Sequence, residues 1–381
     1  MYTLIIGEKG DIMKIIHCAD LHLDSAMNTH FSGVKAKERK NELLETFRRM
    51  IGYAVDNDVT AIIIAGDLFD RKNISATARN TVMYEITNNP QVDFYYLKGN
   101  HDVDSFIDGM DVIPANLKLF GENWTKYTAY EENGNRIVIT GIEQDEDNYL
   151  GIYSGLALED SDYNIVVMHG QESVATGNKF ENININELKN RAIDYLALGH
   201  VHFYKEAALD SRGVYCYPGC LEGRGFDECG DHGFVLLDID VNNRTATREL
   251  VNIATRSLYE LEADVSGCNT TMEISKRIAQ AIEACCYGRE NMVKILLTGK
   301  ADVECEKDLE FLAKQFENEF YFVKIQDDTV FEIDYEEYAH DESLKGEFIR
   351  MVKSRTDLSE DDKAMIIRFG IQALKGEEIR G

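Results

Sequence analysis

The sequence is poor in proline and has no long apolar run. Three prolines in 381 residues argue against a long disordered linker. No apolar segment approaches the roughly 18 residues of a membrane-spanning helix, and the N-terminus lacks the features of a signal peptide. The eight cysteines form no C-x-x-C pair, which favours reduced thiols over a structural zinc site. We therefore expect a cytoplasmic protein without a membrane segment.

Basic residues are outnumbered by acidic ones throughout the chain. The formal net charge is −28, which opposes binding to the phosphate backbone of nucleic acid. The clearly basic stretch is "VKAKERKNELLETFRRM", residues 34–50. It is explained either by a solvated helix face or by a binding surface, and the sequence leaves both open.

The first two-thirds of the chain alternates strand-like and helix-like segments. Ile-rich runs such as "VTAIIIAGD" predict strands that are buried on both faces. We predict a layered α/β domain with two sheets over residues 13–253. The residues ahead of Met13 either add an edge strand, "YTLII", or lie outside the native fold.

The rest of the chain predicts smaller units. Residues 254–330 have a β-α-β-α-β pattern, which predicts a compact α+β domain. Residues 331–381 predict two amphipathic helices, and the apolar stripe of the second one recurs at helical spacing: Ala364, Ile367, Ile371 and Leu374. Such a segment packs on its own domain or docks a partner.

Polar residues cluster where the predicted strands end. They lie in "HCADLHLD", "IIIAGDLFDR", "LKGNHD", "VVMHG" and "LALGHVH". The carboxyl ends of parallel strands converge on one crevice, so these side chains should meet. Seven of them have the chemistry of metal ligands: Asp20, His22, Asp67, Asn100, His169, His200 and His202.

Seven ligands are too many for one ion with an open position, but they suffice for two ions that share a carboxylate. Imidazole, carboxylate and amide without thiolate suit Mn, Fe or Zn. Two ions about 3.5–4 Å apart can hold both oxygens of an in-line phosphoryl displacement. Any one of these segments alone is weak, because a strand-end histidine is more often structural. All five in order argue for a site.

In this order the segments D-x-H, G-D-x-x-D, G-N-H-D, a lone strand-end His and G-H-x-H resemble the calcineurin-like metallophosphoesterase superfamily. The resemblance implies an α/β fold: a four-layer α/β/β/α sandwich with a small α+β cap domain and C-terminal helices. It implies a first metal held by Asp20, His22, Asp67 and His202. It implies a second metal held by Asp67, Asn100, His169 and His200, with Asp67 as the bridge.

Within the superfamily, the chain is most similar to SbcD-type DNA repair nucleases and their YhaO-like relatives. "ADLHLD", "GDLFDR" and "LKGNHD" carry this similarity, together with "YPGCLEGRGFDECGDHGFVLLDID", in which Cys220 stands where Ser is usual. The resemblance implies a DNA nuclease whose cap helps to clamp DNA and whose C-terminal segment binds an SMC-like ATPase of the SbcC type. It implies two divalent ions, with Mn²⁺ preferred and Fe²⁺, Zn²⁺ or Mg²⁺ as alternatives. It also implies that the chain can form a homodimer.

Further roles depend on position next to the predicted ligands. His101 is not expected to bind metal, so we predict that it is the general acid. Asp70 is predicted to orient its ring and to raise its pKa. Asp102 is predicted to brace the loop, and Gly99 to allow its backbone turn. Arg71 either contacts substrate phosphate or forms a surface ion pair.

Two other functions remain open on the sequence alone. A small-molecule phosphoesterase acting on nucleotides or cyclic nucleotides would use the same metal core and fits the acidic surface, but it does not need the C-terminal extension. A non-catalytic scaffold is disfavoured, because the ligand set is complete.

Overall fold

The computed structural model describes residues 12–27, 33–70, 74–102, 106–107, 112–174, 181–302, 305–333, 335–336 and 338–375. They form two compact units, one ending at Ser257 and one beginning at Leu258. The boundaries that we predict after residues 253 and 330 stay predictions, and the possible edge strand "YTLII" lies outside the described residues. Among the described residues, none of the helices combines the length and apolarity that crossing a bilayer requires.

The first unit alternates strands and helices as the sequence predicts. Its helical segments are α1 (Gly33–Asp56), α2 (Ala76–Asn88), a 3₁₀ turn (Ile152–Gly155) and α3 (Ile185–Leu188). Its strands are β1 (Ile12–Cys18), β2 (Ala61–Ala65), β3 (Asp93–Leu97), β4 (Leu117–Leu119), β5 (Thr125–Glu132), β6 (Asn135–Gly141), β7 (Tyr163–His169), β8 (Gln171–Ser173), β9 (Asn182–Asn184), β10 (Tyr195–Gly199), β11 (Lys205–Ala208), β12 (Val214–Tyr217), β13 (Gly233–Asp240) and β14 (Thr245–Asn252).

Two large sheets, both rich in parallel pairs, face each other in this unit. One has the order β14-β13-β1-β2-β3-β4, and β1 to β4 run parallel. The other has the order β11-β12-β10-β7-β6-β5, with β12, β10, β7 and β6 parallel. Ile15 and Ile63 of the first sheet share one buried cluster with Ile165 and Ala197 of the second. This shared core covers one face of β7, and a second cluster that contains Val166 covers its other face, so the strand is buried on both faces.

Helices cover the outer faces of the two sheets, so the predicted α/β/β/α order is confirmed. On the first sheet, α1 buries an apolar stripe that includes Leu43, Phe47 and Met50. The layer outside the second sheet is thin, because the 3₁₀ turn and α3 each have four residues. Beyond α3, Asn190 and Ala192 take positive φ angles of 58° and 61°, which an α-helix does not allow.

The second unit has the predicted β-α-β-α-β order, followed by two helices. Its strands are β15 (Leu258–Asp264), β16 (Met292–Thr298), β17 (Lys300–Asp302), β18 (Phe322–Asp327) and β19 (Val330–Glu332). Its helices are α4 (Thr271–Ala284), α5 (Leu309–Phe316), α6 (Leu344–Lys353) and α7 (Glu360–Lys375). β15, β16 and β18 pair in parallel. A capping box between Thr270 and Glu273 begins α4.

The C-terminal helices share a small core of their own. Ile349 and Val352 of α6 pack with Ile367 and Ile371 of α7. The stripe predicted for α7 is therefore confirmed up to Ile371. Its last member, Leu374, is 46% exposed instead.

Candidate metal centre

Five strand ends deliver the predicted ligands to one place. β1, β2 and β3 are parallel neighbours in the first sheet, as are β7 and β10 in the second. Their carboxyl ends, or the loops directly after them, carry all seven side chains: Asp20, His22, Asp67, Asn100, His169, His200 and His202. The structure brings all seven together, and their role as ligands stays a prediction.

Close backbone contact makes this convergence possible. A side chain at Gly199 would place its Cβ 1.9 Å from the carbonyl oxygen of Ala65, so only glycine lets β10 approach β2 this closely. A Cβ at Gly99 would lie 2.1 Å from Oδ1 of Asp67. We predicted that Gly99 serves a backbone turn. The structure shows that its absent side chain makes room for the Asp67 carboxylate.

The first cluster contains Asp67, Asn100, His169 and His200, the residues predicted to hold the second metal. Nε2 of His169 lies 2.9 Å from Oδ1 of Asn100 and 3.4 Å from Oδ2 of Asp67. Nδ1 of His200 lies 3.4 Å from the same Asn100 oxygen. Carboxylate, amide and imidazole atoms thus converge on one small volume, as a divalent ion requires.

The second cluster contains Asp20, His22 and His202, which are predicted to hold the first metal together with Asp67. Their candidate ligand atoms all lie within 4.8 Å of one another. Nε2 of His22 is 3.2 Å from Nε2 of His202 and 3.8 Å from Oδ2 of Asp67. The same Asp67 oxygen therefore faces both clusters. Two imidazole nitrogens and buried carboxylate oxygens thus face one small volume. The donor set consequently fits two divalent ions that share Asp67.

Burial and charge shape the titration of the carboxylates. Burial raises the pKa of Asp20 to about 6, although neighbouring histidines oppose this. Asp67 is just as buried, but hydrogen bonding and charge from His169 hold its pKa well below the usual range. The pKa of His169 would fall on burial, yet Asp67 raises it to about 9. Asp67 thus stays ionised.

Outer contacts fix the direction in which three imidazole rings point. Nδ1 of His169 donates to the carbonyl oxygen of Ala65 at 2.9 Å. Nδ1 of His202 donates to Oε1 of Glu228 at 2.7 Å, and Nδ1 of His22 donates to Oδ1 of Asp70 at 3.2 Å. Each bond leaves Nε2 turned into the clusters, which is the arrangement that outer partners impose on metal-binding histidines.

Several predicted ligands have strained backbones. The φ angles are positive, between 44° and 106°, at Asp20, His22, Asp67 and His200. Non-glycine residues rarely adopt this region, and such strain persists where the surroundings force it. At Asp20, the backbone N–H of His200 donates to both carboxylate oxygens, at 3.0 and 2.9 Å. Cross-sheet bonds of this kind hold the ligand loops in place.

His101 and Asp70 lie together beside the second cluster. Nδ1 of His101 is 3.2 Å from Oδ1 of Asp70, and this bond raises the pKa of the imidazole. The His101 side chain is 48% exposed, while its backbone N–H donates to Oδ1 of Asp67 at 2.9 Å. The ligand atoms of His22, Asp70 and His101 also lie within 4.8 Å of one another. Arg224 lies 3.9 Å from Asp70, and its charge disfavours a further cation there.

Asp102 joins the loops that follow β2 and β3. It is 5% exposed, and its carboxylate accepts backbone N–H groups of Leu68, Phe69 and Gly99 at 3.1, 2.8 and 3.1 Å. Burial raises its pKa to about 6. These three bonds are those of a loop brace, the role that we predicted for it.

Sequence reasoning missed Glu228 and Arg224. Glu228 accepts from His202, and also from the backbone N–H of Arg224 at 2.7 Å and from its Nη2 at 2.8 Å. The Arg-x-x-x-Glu spacing within "EGRGFDE" is the sequence signal that could have identified this pair. Arg71, for which we predicted a possible phosphate contact, lies outside the described residues.

Two basic residues of the stretch 34–50, Arg39 and Lys40, form ion pairs with acidic side chains. Arg39 is fully buried and pairs with Glu42 and with Glu222, the latter at 3.0 Å. Lys40 pairs with Asp24. Neither the solvated face nor a free binding surface describes Arg39. It ties α1 to the segment around Glu222.

The chain is similar to a known protein family and to several curated proteins. Residues 13–204 match the sequence profile of the calcineurin-like phosphoesterase family. The uncharacterized metallophosphoesterase YhaO of Bacillus subtilis is 28% identical over 237 residues, which are 60% of this chain and 57% of YhaO. The DNA double-strand break repair protein Mre11 of Aeropyrum pernix is 21% identical over 303 residues, which are 74% of this chain and 72% of that protein.

Among solved structures, a dimetal phosphatase from Danio rerio aligns with a TM-score of 0.38 and 13% identity, over 59% of this chain and 92% of that chain. This likeness is too weak to bear on activity or substrate. The family match covers about half of the chain and includes all five motif segments. The chain belongs to the calcineurin-like phosphoesterase family.

Proposed function

We propose that the chain is a two-metal phosphodiester hydrolase that cleaves DNA. The observation that carries the hydrolase part is the position of Asp67. Its Oδ2 lies 3.4 Å from His169 and 3.8 Å from His22, which belong to different clusters. When bound, two divalent ions, Mn²⁺ first, would supply the positive charge that neutralises the phosphoryl oxygens and activates water.

In this proposal His101 donates the proton to the leaving oxygen. Its Nδ1 is held by Asp70, which leaves Nε2 for the substrate, and its half-exposed ring is accessible. Asp70 raises the pKa of the ring, so the proton is retained toward neutral pH. Asp70 also contacts His22 at 3.2 Å and therefore positions the general acid against the ligand set.

Arg224 is the positively charged group that we propose for contact with substrate phosphate, in addition to Arg71. Its guanidinium is 19% exposed and lies 3.9 Å from Asp70, close to His101. Glu228 holds it at 2.8 Å. A cation at this position would counter the charge of the phosphate as the leaving oxygen departs.

The DNA part of the proposal rests on similarity to Mre11 proteins that carry "DNA double-strand break repair" in their names. An SbcC-like ATPase is the proposed partner of the C-terminal helices. Leu344, Met351 and Met365 of these helices are 68%, 60% and 53% exposed, which gives a partner apolar surface to cover. A cytoplasmic location and a homodimer are further parts of this proposal.

A small-molecule phosphoesterase is the second candidate, and the charge distribution favours it. The net charge is −28, and Arg39 and Lys40 of α1 are engaged by acidic partners. These two pairs reduce the positive charge that α1 could offer to a duplex, whereas a nucleotide or cyclic nucleotide needs little.

One assay separates the two functions. Purified protein with Mn²⁺ would be incubated with labelled duplex DNA, single-stranded DNA and bis-p-nitrophenyl phosphate, with an Asp67→Asn variant as the control. Cleavage of DNA by the wild type alone supports the nuclease. Cleavage of the small diester without DNA cleavage contradicts it and supports the second candidate. A protein that binds two ions but cleaves none of these would contradict both.

A further inference from the structure

A second feature of the site is a cleft of about 300 Å³ that opens beside both ligand clusters. His200 of the first cluster and His202 of the second both line it. Phe203, Lys205 and Asp227 form other parts of its wall. Anything bound in this cleft would therefore touch the residues that we propose to hold the metals, and it would lie next to the scissile phosphate.

Phe203 presents an exposed aromatic ring on a fixed backbone. Its side chain is 63% exposed. The neighbouring carbonyl oxygen of His202 accepts the backbone N–H of Cys220 at 3.1 Å. A Cβ at Gly219 would lie 3.0 Å from that same oxygen and 3.1 Å from the carbonyl carbon of Phe203. The backbone that carries the ring is thus packed tightly against Gly219. A single exposed phenylalanine is common on protein surfaces, but this one lies in the wall of the candidate active site.

The charges of the cleft disfavour a phosphate and favour a flat, uncharged group. Lys205 lines the cleft already paired with Glu172, and Glu228 is already engaged by Arg224. Asp227 adds a further carboxylate to the wall. An additional phosphate would therefore find the lysine of this wall occupied and the carboxylate of Asp227 nearby. A nucleobase carries no charge, can stack on an aromatic ring, and can hydrogen-bond with carboxylates at its edge.

We propose that this cleft binds the nucleobase next to the scissile phosphate, stacked on Phe203. The inference rests on the proposed function and narrows its substrates to nucleoside phosphates. It names Phe203 as a residue that determines specificity, and it leaves the chemistry to the residues described above.

The test measures binding instead of turnover. Isothermal titration calorimetry on the Mn²⁺-loaded protein would compare 5′-dAMP and 3′-dAMP with 2-deoxyribose 5-phosphate, which lacks the base. Phe203→Ala should weaken binding of at least one dAMP isomer by roughly 5- to 150-fold, the range for one stacked base, and leave the sugar phosphate unchanged. Phe203→Trp should retain dAMP binding. Tyr84→Ala removes another exposed ring, 64% exposed on α2, and should change neither ligand.

The outcomes distinguish this inference from the proposed function. Unchanged dAMP binding in Phe203→Ala, or equal weakening of dAMP and sugar phosphate, would overturn the stacking role even if the protein hydrolyses diesters. Base-dependent binding that needs Phe203 would support the subsite even if no diester is cleaved. A wild type that binds dAMP no better than the sugar phosphate would also overturn it.

Discussion

Replacing His101 should separate proton donation from metal binding. His101→Ala removes a half-exposed ring and its bond to Asp70 but keeps the backbone N–H that donates to Asp67 at 2.9 Å. Asp70 retains its bonds to His22 at 3.2 Å and to Ser25 at 2.9 Å. The lost hydrogen bond corresponds to about 0.5–1.5 kcal/mol of stability at most. We therefore expect an intact fold and intact ligand clusters.

The expected catalytic loss depends on the leaving group. A nucleoside alkoxide needs a proton, so kcat on a dinucleotide should fall about 10²- to 10⁴-fold, the usual contribution of a general acid. The p-nitrophenolate released from bis-p-nitrophenyl phosphate is stable without a proton, and its release should change little. The assay is steady-state kinetics on both substrates at saturating Mn²⁺, with metal content measured on the same samples.

His340→Ala is the matched control, because His340 is exposed in the second unit. It should cleave both substrates as the wild type does. A His101→Ala protein that cleaves the dinucleotide at the normal rate would refute the proton-donor role. Equal losses on the two substrates, or a lost metal ion, would show that His101 acts in another way.

Two further predictions concern charge. Asp70 raises the pKa of His101, so activity should fall as the pH rises through that pKa. Asp70→Asn should move this alkaline limb of the pH–kcat profile to lower pH. A limb that does not move would contradict the pairing of Asp70 with His101. Arg39→Met should lower the free energy of unfolding by about 3–5 kcal/mol in urea titrations, because it leaves Glu222, 2% exposed, without its cation. Arg355→Met, at the exposed pair with Asp357, should leave the free energy of unfolding nearly unchanged, and equal costs would refute the argument.

The sequence predicted those parts of the site that depend on strand order. Asp20 and Asp67 are far apart in the chain, yet they follow β1 and β2, which are parallel neighbours, so both lie at the same edge of the first sheet. His169 and His200 are placed in the same way by β7 and β10 of the second sheet. The periodicity of β-strands and the polar residues after them are local signals. The residues at each sheet edge could therefore be anticipated from local signals, whereas the meeting of the two edges depends on packing between the sheets.

The parts that sequence reasoning missed depend on contacts between distant segments. Glu228 reaches His202 because the segment after β12 folds back beside β10. The hydrophobic periodicity of the sequence does not predict the path of such a loop. Arg39 lies in a basic run that favoured a solvated face, but its partner Glu222 comes from far along the chain. The reason for Gly99 is likewise tertiary, since it is the Asp67 carboxylate that needs the space.

Metal stoichiometry tests the central claim most directly. The purified protein would be dialysed against Mn²⁺ and analysed for bound metal, alongside Asp67→Asn, which removes the charge that faces both clusters. A variant of the first cluster, Asn100→Ala, would be the comparison. We predict two ions per chain in the wild type, weakened binding of both in Asp67→Asn, and weakened binding of one in Asn100→Ala. A single ion in the wild type, or one ion bound normally by Asp67→Asn, would contradict a shared two-metal centre.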